Sequence, residues 1–313
     1  MIDIYYRPEN RVVQGKLKNL KSRKTVWVDC FNPSKQEIDD VCAIAGIPKQ
    51  EFKEHLLGYE RPTTLETEDY SLVVFGAPIQ RGNTRVSSLA LFICKNQTVV
   101  TLRTAEIDAL ARVKREMLDK NPKYLDSSTA LLQIILERII SSYFEHMERF
   151  QEHTDHIEAI VFKAPQKEAV EETFKIRKSV LLFQKALVAN KEAILSIEKG
   201  NLSRLSKKDV VDFRDIREDV MQLIDSGDTQ RIILTGVLDI YTSSVSNQMS
   251  EVIKKLTVVA SYVLIPTLIA SIYGMNFKNM PELSWQWGYP FSMGVMALSI
   301  FSVWYYFRKS KMI

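Results

Sequence analysis

Apolar positions change their spacing twice along the chain, and each change marks a different kind of structure. Up to residue 125 they come in short runs. TVWVDCF (Thr25–Phe31), DYSLVVFGAPI (69–79) and RVSSLALFICKNQTVVTLRT (85–104) have strand composition, the last turning at Lys95 and Asn96. Between them, PSKQEIDDVCAIAG carries Ser34 and Glu37 at capping-box spacing and ends on Gly46. Phe52 and Leu56 suggest a further short helix closed by Gly58. Strands mixed with short helices predict an α+β cytosolic domain over residues 1–125, a mixed sheet with flanking helices.

From Ser127 the spacing turns helical and stays so for more than 30 residues, until Pro165. A second helix from Gln166 to Lys199 stops at Gly200, so residues 126–200 read as a long helical hairpin with charged outer faces. A third stretch begins near Ser206 and meets no strong breaker before Pro266. Gly227 and Gly236 lie inside it, each a local cost of about 1 kcal/mol. Continuous to Tyr273 it would hold 68 residues, about 100 Å of helix. Such a helix is too long for one globular domain, and residues 201–255 are predicted to be a stalk.

The second change comes at Leu256. Leu256–Phe277 has 22 residues and no charge, a helix of about 33 Å against a hydrocarbon core of about 30 Å. Leu283–Phe307 is also uncharged, with Trp285, Trp287 and Tyr289 at one end and Trp304, Tyr305 and Tyr306 at the other, the aromatic belts of a spanning helix. Transmembrane helices are expected at 256–276 and 288–307, with an external loop at 277–287. Lys254 and Lys255 precede the first span, and Arg308, Lys309 and Lys311 follow the second in a basic tail, 308–313; the loop holds only Lys278 and Glu282. The positive-inside rule places both termini in the cytoplasm of a cell (inner or plasma) membrane. The N-terminus lacks the basic and apolar regions of a cleaved signal.

Composition narrows the partners. The 313 residues are 46% hydrophobic and 26% charged, and the mean hydropathy of −0.11 makes the membrane part a minority. A net charge of +4 is too mild for a nucleic-acid-binding surface. Cys30, Cys42 and Cys94 form no metal spacing and read as buried thiols. No P-loop, GxGxxG after a strand or GxSxG is present, so neither a nucleotide nor enzymatic chemistry is expected. His146, His153 and His156 stand among acids in EHMERFQEHTDHIE; a solvated acidic face or a loose metal site both fit, and the first is preferred.

Chemistry concentrates where the first apolar helix ends. Two helices enclose no pore, so conduction requires several copies around an axis. Counting by threes and fours from Asp239 gives Ser246, Met249 or Ser250, Ile253, Leu256, Ala260, Leu264, Thr267, Ser271 and Gly274. Thr267 and Ser271 are polar at membrane depth and suit a water-filled path, or equally a small-residue helix contact. Gly274 lets carbonyls approach, and Asn276 offers a neutral amide oxygen. A ring of such oxygens suits a hydrated divalent cation, above all Mg²⁺, which sheds water reluctantly.

Gly274-Met275-Asn276 in YGMNF at the end of the first of two C-terminal membrane helices, with MPEL and a basic tail, resembles the CorA magnesium transporters. The likeness extends from Leu238 to Pro290, and FRDI at Phe213–Ile216 fits that family's stalk. It implies a funnel-shaped homopentamer in the lipid bilayer that takes up Mg²⁺, with Co²⁺ or Ni²⁺ as alternatives; Met275 speaks against zinc. Carried over, Gly274 and Asn276 match the outer selectivity collar, Thr267 a second polar ring, and Asp239 an acidic ring at the inner mouth. Ile253, Leu256 and Leu264 match apolar constrictions, the hydrophobic gate. Asp215 matches a carboxylate of a regulatory Mg²⁺ site between subunits. The matching acid of the N-terminal domain is missing from APIQRGNTRVSSLALF. A membrane-tethered cytosolic divalent-cation sensor or structural protein without conduction is the alternative.

Overall fold

The computed structural model describes residues 1–8, 11–15, 25–57, 61–81, 83–119, 122–163, 166–205 and 213–310. It divides into two compact units, one made of residues 1–160 and 166–238, the other built around the chain from Asp239 onward.

The first unit is organised by a seven-stranded sheet in the order β2-β1-β3-β7-β6-β5-β4. The strands are β1 (Ile2–Tyr6), β2 (Val13–Gly15), β3 (Val26–Phe31), β4 (Thr63–Glu66), β5 (Tyr70–Arg81), β6 (Asn83–Cys94) and β7 (Thr98–Arg103). Only β3 and β7 pair in parallel; every other neighbour pair is antiparallel. The sheet is thus mixed, as expected. The sequence reading finds β3, β5, β6 and β7 but passes over β1, β2, β4 and the helix α3 (Asp108–Asp119), although Leu110, Val113 and Met117 stand at helical spacing and are buried.

Alternation along the central strands builds two cores. Val26, Val28, Cys30, Leu72, Val74, Phe92 and Val100 pack with Ile38, Val41 and Phe52 of the helices α1 (Lys35–Ala45) and α2 (Lys49–Glu54). Phe52 stacks on Phe92 with ring centroids 5.5 Å apart. In α1 both halves of the capping box form, Ser34 Oγ accepting from Glu37 N–H and Glu37 accepting from Ser34 N–H; Gly46 closes the helix at φ 72°. Gly58, the expected end of the next helix, lies outside the described residues. The three cysteines are buried and unbridged.

The opposite face carries the long helices. Helix α4 (Ser128–Lys163) and helix α5 (Lys167–Glu198) follow one another, and α5 packs along β4, β5 and β6. Pro165, the expected breaker, lies outside the described residues. The structure corrects the reading of the histidine cluster. His146 is 5% exposed, edge-on to Phe183 at 5.6 Å, because it follows Tyr143 onto the core side of α4. Burial and then the Arg149 charge push its pKa down. His153 and His156 stay exposed, so burial separates His146 from His153 although seven residues put both on one side of α4, and no group of three metal-ligating side chains exists among the described residues.

Helix α6 runs unbroken from Phe213 to Tyr273, 61 residues with Pro266 inside; its expected start at Ser206 lies outside the described residues. Gly227 is not a weak point. A Cβ there would stand 2.8 Å from Gln184 Cγ, so the absent side chain is what allows α5 and α6 to meet. Helix α7 (Gly288–Lys309) is the last element, after a short 3₁₀ turn at Pro281–Ser284.

Candidate ion pathway

Among the described residues two helices are long and apolar enough to cross a membrane, and their most apolar windows are 6% (α6) and 11% (α7) buried. A buried core helix would show the reverse. These surfaces have no protein cover within one chain, and lipid or further copies must supply it.

On α6 the residues from Asp239 to Ser271 named by sequence fall in a sector of about 100° on an ideal helix. All of them that carry a proposed role are exposed: Asp239, Ile253, Leu256 (67%), Leu264 (69%), Thr267 and Ser271. The backbone therefore brings them to one side. The hydroxyls on this helix bond inward. Thr267 Oγ1 donates to Val263 O at 2.6 Å, Thr257 to Ile253 O at 2.8 Å and Ser261 to Thr257 O at 2.8 Å. Their protons are used by the helix, and what they offer outward is lone pairs. Such a surface accepts hydrogen bonds from water held by a cation. Pro266 has no N–H to give the Tyr262 carbonyl, which adds a further acceptor on the same helix.

The helix stops at Tyr273. Gly274 N–H still reaches Ala270 O at 2.9 Å, and Met275 N–H tightens onto Ile272 O at 3.2 Å. A Cβ at Gly274 would lie 3.3 Å from the Ala270 oxygen, so glycine keeps this last turn uncrowded. Asn276 is exposed beyond the end, and no described residue hydrogen-bonds its amide.

Charge frames the segment. Lys255 is exposed and Lys254 half-buried on α6, while Arg308 and Lys309 end α7. The Arg308 guanidinium lies 5.1 Å over the Trp304 ring. Lys311 lies outside the described residues. In the first unit Asp215 is exposed on the first turn of α6. Sequence reasoning singled it out alone, but Glu218 and Asp219 follow at i+3 and i+4, a spacing that could have revealed them. Burial, then Asp215 and Glu218, raise the Asp219 carboxyl above its usual range.

The chain as a whole is similar to known proteins. The cobalt/magnesium transport protein CorA of Methanocaldococcus jannaschii is 28% identical over 306 residues, 96% of each chain. The protein of the same name from Thermotoga maritima is 36% identical over 181 residues, 58% of this chain and 52% of its own. The complete structure of the CorA magnesium transporter from M. jannaschii matches with a TM-score of 0.90 at 27% identity, covering 100% of this chain and 99% of that one. The family profile described as CorA-like Mg2+ transporter protein matches residues 22–309. With nearly the whole length matched in sequence and in fold, from the mixed sheet to the two apolar helices, the chain belongs to the CorA-like Mg2+ transporter family.

Proposed function

We propose that this chain is a passive influx channel for divalent cations, Mg²⁺ first and Co²⁺ or Ni²⁺ as alternatives, working as a homopentamer with α6 around the axis. The observation that carries it is the end of α6: an apolar helix left bare along its length, finished by an exposed, unengaged Asn276 next to Gly274 and Met275. Five Asn276 amide oxygens at one level would bind the water shell of Mg²⁺ without stripping it. Thr267 and Ser271 would continue the line of acceptors inward. Ile253, Leu256 and Leu264 would form dry apolar rings that gate by dewetting. The Asp239 carboxylates would collect the ion at the inner mouth.

Both termini would lie in the cytoplasm, with Lys254, Lys255, Arg308, Lys309 and Lys311 near the inner face, where their field opposes a resting cation leak. The membrane potential supplies the work, about 4.6 kcal/mol per 100 mV for a divalent ion. Regulatory Mg²⁺ would bind at Asp215. The test is ion uptake into proteoliposomes with Mg²⁺, Co²⁺, Ni²⁺ and Zn²⁺ compared. Asn276→Ala should abolish Mg²⁺ uptake in intact pentamers; undiminished uptake would leave a tethered sensor as the better reading.

A further inference from the structure

The first unit contains a cleft of about 1180 Å³ between α5, α6 and the β5–β6 hairpin, and its charge is one-sided. Arg61, Arg85, Lys178, Lys185 and Arg231 line it, against a single carboxylate, Asp228. That carboxylate is already engaged. It accepts from Gln184 Nε2 at 2.8 Å and from Arg231 at 3.4 Å. Arg61, Arg85, Lys178 and Lys185 have no ion-pair partner among the described residues, and the Arg231 Nε is buried without an acceptor. Leu181, Leu182 and Val188 add an apolar wall, each about two-fifths exposed. The cleft therefore lacks an acidic, partly apolar occupant.

The same unit exposes a surface of that description. On the first turns of α6, Asp225, Glu218, Asp215 and Asp219 fall within a sector of about 120°, and all four are exposed. Among the described residues only Glu218 has a cation, Arg214 at 3.2 Å on its own helix. Met221 and Ile232, 48% and 74% exposed, border the acids. Burial first, and then the neighbouring Asp215 and Glu218 charges, raise the Asp219 carboxyl. A helix cannot dock into a cleft that it lines itself, so the two surfaces cannot satisfy each other within one chain.

We infer that the cationic cleft of one copy seats the acidic face of α6, centred on Asp219 and Asp225, of the next copy. This rests on the pentamer proposed above and says which surfaces close it. Because cleft and helix face are different surfaces, the contact is head-to-tail, the kind that generates a ring when the rotation closes. Asp215, at the N-terminal edge of the acidic sector, is left at the rim for the regulatory ion. The cleft's cations neutralise the remaining carboxylates, which accounts for a β5–β6 hairpin that carries Arg85 and no acid.

Charge reversal on the full-length protein in detergent tests it, with native mass measurement as salt is raised. Lys178→Glu with Lys185→Glu should lower the pentamer-to-monomer ratio by about tenfold or more, as should Asp219→Lys with Asp225→Lys. Combining the four should restore it, since a direct pairing is non-additive. All four positions are exposed, so each variant's circular dichroism and melting should match the parent. Pentamers indifferent to either reversal, or a four-fold variant as weak as the sum, would overturn this pairing and leave the pentamer standing. A parent protein that is monomeric would remove both. Inorganic pyrophosphate binding to intact pentamers, lost on Lys178→Glu with Lys185→Glu, would show a cleft open to a small anion and likewise overturn it.

Discussion

The Asn190 side chain holds both backbone polar groups of Gly76. Its Oδ1 accepts from Gly76 N–H at 2.8 Å and its Nδ2 donates to Gly76 O at 3.0 Å. Strand β4 pairs with β5 only as far as Val74, so Gly76 lies beyond the end of its neighbour with its outward groups unpaired. Asn190, from the middle of α5, takes the place of the missing strand. Tyr143 of α4 gives the same carbonyl a second donor at 3.0 Å. The glycine is needed because a Cβ would stand 3.2 Å from Val86 and 3.3 Å from Ala186.

Asn190→Ala should therefore strand the buried Gly76 N–H, while Tyr143 keeps the carbonyl satisfied. The expected loss is about 1–3 kcal/mol, the desolvation of an unmet donor, read as a drop in the urea midpoint. An unchanged midpoint would mean that water replaces the amide.

A second prediction concerns acid. Asp29 is 1% exposed and bonded to Arg103 at 3.0 Å and Lys114 at 2.7 Å. Burial opposes its charge, but Arg103 and Lys114 outweigh burial and hold the carboxyl below its ordinary range. A depressed folded pKa means that the stabilisation is complete above the unfolded value of about 3.9 and is lost as pH falls through the lower folded value. Asp29→Asn should cost about 3–5 kcal/mol at neutral pH by leaving the buried Arg103 without its carboxylate, while Lys114 keeps Asp3 at 2.6 Å, and should flatten the acid limb. Trp27 reports it, since its Nε1 donates to Thr101 Oγ1, which donates to Asp29. A parallel loss at pH 7 and pH 3 would assign the effect to packing alone.

Much of this was legible in the sequence, for particular reasons. Two uncharged runs mark the apolar helices by length, and a continuous α6 follows from the absence of a strong breaker before Pro266, which the helix then accommodates. The sheet order was not legible, because the parallel ladder pairs Val28 with Val100, 72 positions later in the sequence. His146 was misplaced because Glu145 and Glu148 flank it, whereas its direction is set by Tyr143, Met147 and Phe150. Gly227 read as a cost until Gln184 was found against it. The stripe through Ile253, Leu256 and Leu264 was legible as a pattern, but all three are more than half exposed, so what covers them is not part of the single chain.

The regulatory proposal makes a third prediction. Asp215 stands in a field of like charge from Glu218 and Asp219, and a divalent ion bound there relieves the repulsion and favours one arrangement of the subunits. Asp215→Asn should shift inhibition by internal Mg²⁺ to roughly tenfold higher concentration, a coupling of about 1.4 kcal/mol. Inhibition at an unchanged Mg²⁺ concentration would show that sensing lies elsewhere.

The last prediction concerns the gate. Ile253, Leu256 and Leu264 are separated by three and then eight residues, close to one turn and slightly over two, so all three can face one axis. All three are more than half exposed in the single chain, which leaves them free either to ring a pore or to pack on neighbouring helices. The two roles differ in the sign of one experiment. Five leucines at the level of Leu256 make a narrow, dry constriction that a strongly hydrated Mg²⁺ does not cross without losing water. Leu256→Asn would wet that ring. Resting Mg²⁺ leak should rise roughly tenfold, as if about 1.4 kcal/mol were removed from the barrier, with pentamers intact. If Leu256 only packs, the amide would instead lower the melting temperature or the pentamer fraction and bring no gain of flux. Reduced flux through intact pentamers would defeat the assignment at Leu256, and Leu264→Asn then locates the barrier, because it lies two turns nearer to Asn276 on the same sector of α6.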